Sequence, residues 1–255
     1  MDKKLKKGIY YECLKCGDKI YYDTNKKMTP CKCGALEIDG CKHYTRIITQ
    51  PGEKYVYKSF YIDENGEVKN PRQYVIFDLE ATCWEEKNDR PKEIIEIGAV
   101  KLNENLEVID RFSEFAKPTI NPELTEFCKN LTTIKQEDVN NAKTFNIAIK
   151  DFENWIFSSS EDVKMISWGY YDKKQILEEA TLKNYSGGIL KLLEERHISL
   201  KHEFARMRKE RTCGMARALE KLNIPLEGMH HRGIDDAKNI AKIFTAVYPN
   251  LSKLG

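Results

Sequence analysis

The sequence predicts an α/β protein: a mixed sheet with helices on its faces, behind a small cysteine-bearing module. Three observations predict it. From Tyr74 onward, three consecutive apolar runs have strand length. Helix-period segments then alternate with further short strands. Of the eight cysteines, five (Cys13, Cys16, Cys31, Cys33 and Cys41) crowd the first fifth of the 255 residues. The apolar share of 41% is enough to bury a core, which excludes global disorder.

Three segments are expected: a cysteine module over 1–48, a linker over 49–72 and the α/β domain over 73–250. The linker holds Pro51-Gly52, a hairpin signal at Glu64-Asn65-Gly66 and Pro71 as a stop. "YVIFDLE" is a nearly continuous apolar run and reads as a buried strand. "EIIEIGAVKLN" and "LEVIDRFSEFAKP" read as two more, joined by a hairpin across Asn103-Glu104-Asn105. "PELTEFCKNLT", "KQEDVNNA" and "FNIAIKDFENWIFS" read as helices, and "VKMISW" as a fourth strand. "DKKQILEEATLKN" is a helix, with a fifth strand expected near "HISLKHEF". "TCGMARALEKLNI" is a helix with Thr212 as its N-cap. The last helix, "IDDAKNIAKIFTAVY", puts Ile234, Ala237, Ile240, Ala241, Phe244 and Val247 on one face.

The charge is +2, too balanced to select a partner. Its distribution is uneven. Residues 1–72 hold 15 Lys/Arg against 10 Asp/Glu, and the remainder 27 against 30. That is a basic module on an acidic body. No signal peptide is read, and no apolar run reaches the ~18 residues that span a membrane. The cysteine spacing suits metal binding in a reducing compartment rather than a disulfide framework, so a cytoplasmic protein is expected.

Asp78 and Glu80 lie two apart on the first strand and so share a face, opposite Val75, Phe77 and Leu79. Paired carboxylates at the end of a buried strand repel each other and lose hydration, at a cost of several kcal/mol. A hard divalent cation offsets that cost by taking oxygen ligands. A lone Asp-x-Glu, however, reads more simply as a strand end reaching water. Asp172, after a strand, and Asp236, in the first turn of the last helix, each have the same ordinary reading.

In this order the stretches resemble the DEDDh family of 3′–5′ exonucleases, and within it the Eri-type, histone-mRNA 3′ exonuclease-like branch. "VIFDLEATCW", "EIIEIGAV", "FCKNLTTIKQEDVNNAKTF", "SWGYYDKKQI" and "HRGIDDAKNIAKI" carry the resemblance over roughly residues 74–245. It implies an RNase H-like fold. It implies that Asp78, Glu80, Asp172 and Asp236 hold two Mg²⁺ or Mn²⁺ ions, with Asp78 placed to bridge them, and that His231 is the general base. The family pattern has four residues between the histidine and the aspartate and a glycine two after the histidine. His231 to Asp236 meets both conditions, whereas His230 to Asp235 misplaces the glycine.

The same resemblance implies that Ala81 and Thr82 contact the terminal sugar, and that Phe127 and Trp168 flank the last bases. The two rings read equally well as core. The expected activity is release of 5′ nucleoside monophosphates from single-stranded RNA 3′ ends. The alternatives are a DNA 3′–5′ exonuclease and a catalytically silent nucleic-acid or ribosome-binding module. The intact set of four acids and His231 argues against silence. Lys201, Arg206, Arg208, Lys209 and Arg211 read first as a solvated helix face, since Glu203 and Glu210 interrupt them.

Cys13-x-x-Cys16 and Cys31-x-Cys33 look like a zinc ribbon with one structural Zn²⁺. The second pair departs from Cys-x-x-Cys, which leaves Cys41 and His43 as rival ligands. Cys83, Cys128 and Cys213 read as packing residues.

Overall fold

The computed structural model describes residues 72–251, except 159 and 161, and the backbone of six strands before them. Those strands are β1 (Ile9–Cys13), β2 (Lys19–Tyr22), β3 (Glu37–Ile38), β4 (Cys41–Ile48), β5 (Val56–Ile62) and β6 (Val68–Lys69). They pair antiparallel in the order β2-β1-β4-β5-β6, with β3 also on β4. β5 and β6 pair antiparallel through Tyr61–Lys69 and Ile62–Val68, and the anticipated hairpin at Glu64-Asn65-Gly66 lies outside the described residues. The expected zinc ligands Cys13, Cys16, Cys31 and Cys33, and the rivals Cys41 and His43, lie outside the described side chains. By contacts the chain divides into one unit of 1–72 with 156–162 and another of 73–155 with 163–255.

The second unit is built on six strands: β7 (Gln73–Ala81), β8 (Ile94–Leu102), β9 (Val108–Lys117), β10 (Lys143–Thr144), β11 (Val163–Ser167) and β12 (His197–Ser199). Their order is β10-β9-β8-β7-β11-β12. β7 to β9 run antiparallel through consecutive connections, while β11 lies parallel to β7 and β12 parallel to β11. The sheet is therefore mixed, as expected, and β7 lies inside it, buried along nearly its whole length. Parallel neighbours need a crossover, which helices supply. These are α1 (Glu126–Thr132), α2 (Gln136–Asn140), α3 (Phe145–Ile156), α4 (Tyr171–Leu182), α5 (Gly188–Arg196), α6 (Leu200–Arg208), α7 (Met215–Leu222) and α8 (Gly233–Val247).

The two-residue alternation of β7 sorts its side chains. Tyr74 and Ile76 join Val100, Leu102, Ile166, Phe204, Leu219, Ile240 and Phe244 in one core beneath α8. Phe77 faces the other way, with its ring centroid 6.3 Å from that of Phe152 in α3. Asp78 and Glu80 continue the Tyr74–Ile76 face, so the strand aims them at the start of α8.

The structure corrects three local readings. α5 adds a helix to the expected elements: it opens on Gly187-Gly188 without a side-chain cap, and Ile189, Leu192 and Leu193 bury at helical spacing. In "HISLKHEF" only the first three residues form a strand, and burial of Leu200 and Phe204 turns the rest into α6. The N-cap of α7 is Gly214, not Thr212. Among the described residues no helix is long and apolar enough to cross a membrane.

Candidate metal centre

A close approach of two backbones builds the site. Gly98 on β8 is the cross-strand partner of Asp78. A Cβ at Gly98 would fall 2.0 Å from the Gly233 carbonyl carbon and the Ile234 nitrogen. Only glycine lets the first turn of α8 sit directly on the sheet. That contact brings Asp236, one turn further along, to the acids of β7. Ligand oxygens of Asp78, Glu80 and Asp236 lie within 4.8 Å of one another. Three acids from β7 and α8 thus share one small volume.

Asp172 is buried in the first turn of α4, where one oxygen accepts the Leu79 N–H at 3.2 Å. It is close enough to Asp78 that its charge raises the pKa of Asp78. The structure thus brings all four expected acids into electrostatic reach of one another, with oxygens of Asp78, Glu80 and Asp236 mutually within 4.8 Å.

The electrostatics of the group are unfavourable when it stands alone. Burial, and then the charges of Asp172, Glu80, Asp236 and Glu96, hold Asp78 well above the usual carboxylate range. Burial, followed by Asp236, Glu96 and Asp172, pushes Glu80 up to about 8. Burial raises Asp172 to about 6, against hydrogen bonds from backbone N–H groups and Ser167 that favour its charged form. Carboxylates this close do not all ionise without a cation. A set of hard oxygen donors fits Mg²⁺ or Mn²⁺.

The two histidines bracket Asp236. His230 Nδ1 lies 2.9 and 3.1 Å from its two oxygens, and the His231 backbone N–H donates to Oδ2 at 3.1 Å. Their rings stack at 4.0 Å. His231 has φ +66°, a left-handed conformation uncommon outside glycine, so the turn fixes its direction. Burial and the charge of His230 lower its pKa, while Asp236 acts in the opposite sense. Asp235 stays apart, accepting the Met229 N–H and pairing with Lys238 at 2.9 Å.

Glu96 stands at the site without having been singled out in the sequence. It is fully buried, opposite Glu80 on the neighbouring strand. It accepts from Arg232 Nε and Nη2, at 3.1 and 3.3 Å, and from the Gly233 N–H at 3.0 Å. It therefore fastens the α8 N-terminus that carries His231 and Asp236. Its "EIIEIGAV" run gives one signal, a charged residue inside an otherwise buried strand. Glu96→Gln keeps the shape but weakens the clamp. It is expected to lower apparent Mg²⁺ affinity by ~10–100-fold, the usual scale for a residue that orients a metal ligand. A Mg²⁺ titration of activity checks this, and an unchanged half-saturation would refute the positioning role.

The substrate-contact residues divide. Ala81 follows a register shift at Glu80/Ala81, and Thr82 is buried with its hydroxyl accepting the Glu93 N–H at 3.0 Å. Phe127 is exposed on α1. Trp168 packs on Phe204, with its indole N–H on the Cys213 carbonyl at 3.2 Å. The exposed ring next to Asp172 is Tyr171. Arg90, Lys92 and Lys174 line a cavity of about 460 Å³ beside it. In α6, Arg206 pairs with Glu203, and beyond it Arg208 pairs with Glu210, as on an ordinary solvated face.

The exonuclease family profile of RNase T type matches residues 75–244. The chain is 32% identical to the 3′-5′ exoribonuclease 1 of Rattus norvegicus over 203 residues, covering 74% of this chain and 57% of that one. It is 28% identical to the ERI1 exoribonuclease 2 of Xenopus laevis, covering 66% of this chain and 27% of that one. It thus spans from about a quarter to just over half the length of these relatives. Among solved structures it resembles the nuclease domain of 3′hExo, described as a DEDDh family member bound to rAMP. That likeness has a TM-score of 0.63 and 28% identity, over 70% of this chain and 92% of the other.

Proposed function

The chain belongs to the exonuclease family, and we propose that it is a 3′–5′ exonuclease that shortens single-stranded RNA and releases 5′ nucleoside monophosphates. The observation that carries the reading is the cluster of Asp78, Glu80 and Asp236, with two histidines at its edge. Buried carboxylates that repel one another do not add stability, so the arrangement points to binding a cation.

Asp78, Glu80, Asp172 and Asp236 would hold the two divalent ions. When bound, such a pair stabilises charge on both the attacking and the departing oxygen of a phosphodiester. The chain's own residues do the rest. His231, neutral at pH 7, accepts the proton of the attacking water. Glu96 and Arg232 keep the start of α8 in place. The backbone at Ala81 and Thr82 faces the terminal sugar. The exposed rings of Phe127 and Tyr171 offer faces for stacking, worth ~1–3 kcal/mol per base without sequence preference. In this role Tyr171 joins Trp168, which is half-buried against Phe204 with its indole N–H on the Cys213 carbonyl.

The names of the relatives, both exoribonucleases, and the rAMP of the 3′hExo structure support RNA as substrate. The assay uses 5′-labelled RNA and DNA oligomers with Mg²⁺ or Mn²⁺, with and without chelator. A ladder that shortens from the 3′ end of RNA and disappears with chelator is expected. Equal or faster loss of DNA would move the substrate to DNA, and intact oligomers of both kinds would leave a silent binding module. The zinc ribbon belongs to the same proposal. Metal analysis should find one zinc per chain, lost on joint replacement of Cys13 and Cys16 by Ser; a zinc-free purified protein would refute it.

A further inference from the structure

The connection between β7 and β8 carries two cations that the acidic cluster does not use. It leaves β7 after Ala81 and re-enters the sheet at Ile94. Its two ends are tied together: the Thr82 N–H donates to the Glu93 carbonyl at 2.8 Å, and the Thr82 hydroxyl accepts the Glu93 N–H at 3.0 Å. The loop therefore closes on the backbone proposed to face the terminal sugar. Side chains hold its far part. The Asn88 amide donates to the Glu86 carbonyl at 3.1 Å, and its oxygen accepts the Arg90 N–H at 3.0 Å. Asn121 donates to the Pro91 carbonyl at 3.1 Å. Gln175, one turn beyond Asp172 in α4, donates to the Lys92 carbonyl at 2.8 Å.

These bonds set two cations over two rings. The Arg90 guanidinium lies 5.7 Å from the centre of the Trp84 ring. Lys92 Nζ lies 5.4 Å from the centre of Tyr171, the exposed ring that precedes Asp172. Both cations line the cavity of about 460 Å³ beside Tyr171. The other charges of that cavity are paired, Lys174 with Glu178 at 3.4 Å and Glu179 with Lys183 at 2.7 Å. Glu85, Glu86 and Asp89 of the same loop are not among its lining residues. Among the described residues no carboxylate forms an ion pair with Arg90 or Lys92. A cation over a ring face keeps its charge and its donors.

We propose that Arg90 and Lys92 bind backbone phosphates of a single strand upstream of its 3′-terminal nucleotide, so that the strand leaves the acidic cluster past Tyr171 and through this cavity. The binding rests on the loop and its two cations. The direction of the strand, with its 3′ end at the acids, rests on the exonuclease reading.

Two cations on one ordered loop, each beside its own ring, match a chain that repeats phosphate and base. A free mononucleotide offers one phosphate and one base. Cations along the backbone and rings beside the bases are the usual means of holding a single strand without reading its sequence. Because side-chain bonds already hold the loop, little ordering is left to oppose binding.

The full chain is titrated with oligoadenylates of two and ten nucleotides, with Ca²⁺ in place of Mg²⁺, and binding is followed by competition against a fluorescent decamer. Joint Arg90→Ala and Lys92→Ala should weaken the decamer ~10-fold or more and the dinucleotide less than twofold. The slope of log affinity against log salt should become shallower by about 1.4, from two single-strand phosphate contacts at about 0.7 each. Arg90→Gln with Lys92→Gln is the second variant if the alanines loosen the loop, and Arg90→Lys with Lys92→Arg should restore the slope. An unchanged slope overturns the proposal. Equal weakening of dinucleotide and decamer makes the cavity a mononucleotide site and overturns the strand path. Binding is read without cleavage. A chain that trims no RNA yet shows the shallower slope keeps this binding site while the exonuclease reading fails, and trimming with an unchanged slope is the reverse.

Discussion

Asp78→Asn is expected to lower the 3′ trimming rate by ~10³-fold or more and to raise the melting temperature of the metal-free protein. The first effect follows from removing the central ligand of a charge-stabilising ion pair, worth several kcal/mol in the transition state, with each ~1.36 kcal/mol a factor of ten. The second follows from the repulsion around Asp78, where burial and four neighbouring carboxylates oppose its charge. The same repulsion gives stability a pH dependence. A carboxyl whose pKa is higher in the folded state binds its proton more tightly there, so the unfolded chain deprotonates first as pH rises. For Glu80, moved from 4.5 to about 8, the stability present in acid is lost progressively across that interval. Asp172 adds a smaller loss between 3.8 and about 6. The metal-free melting temperature should therefore fall between about pH 5 and pH 8, and Mg²⁺ should restore most at the alkaline end. Asp78→Asn should flatten both trends. Scanning calorimetry across pH, with and without Mg²⁺, checks this. A metal-free protein that gains stability toward pH 8 would contradict the clustered-acid account.

The sequence made the framework legible where one local pattern decided the outcome. β7 was readable because Tyr74 to Phe77 is apolar without interruption and Asp78 and Glu80 are spaced for one face. α8 was readable from its periodic apolar stripe. Where two local patterns competed, tertiary contacts decided. Leu200 suits a strand as well as a helix, and only its burial beside Phe204 made it helical. α5 opens on Gly187-Gly188, and its start is specified by packing rather than by a side-chain cap. Trp168 shows the same limit: an aromatic near Asp172 can face substrate or core, and the Cys213 carbonyl, 45 residues away, gave it an internal partner. Glu96 was hidden for a deeper reason. Its meaning depends on Arg232, 136 residues later, and nothing local distinguishes a clamped glutamate from a solvated one. The acids expected to meet did come together as Asp78, Glu80 and Asp236, because their order along the chain implied a shared fold.

His231→Ala is expected to cost ~10²–10⁴-fold in rate, the usual contribution of a positioned general base, with metal affinity nearly unchanged. His230→Ala should cost far less. The two rings lie stacked beside the same aspartate, so proximity alone does not separate them. Their bonding does. His230 uses Nδ1 on the Asp236 carboxylate, the group that a cation would claim. His231 contacts Asp236 only through its backbone N–H among the bonds observed, which leaves its ring nitrogens for substrate water. Burial favours the neutral imidazole at His231, with His230 acting in the same direction. A base must be unprotonated to act, so a lowered pKa extends activity toward acid. The acid limb of kcat/KM should therefore lie below the ordinary histidine range of about 6.5 and vanish in His231→Ala. Asp236 pulls the other way, so Asp236→Asn should move what remains of that limb further toward acid. If His230→Ala removes the limb while His231→Ala keeps it, the proton passes through His230 and the cation does not displace that ring from Asp236.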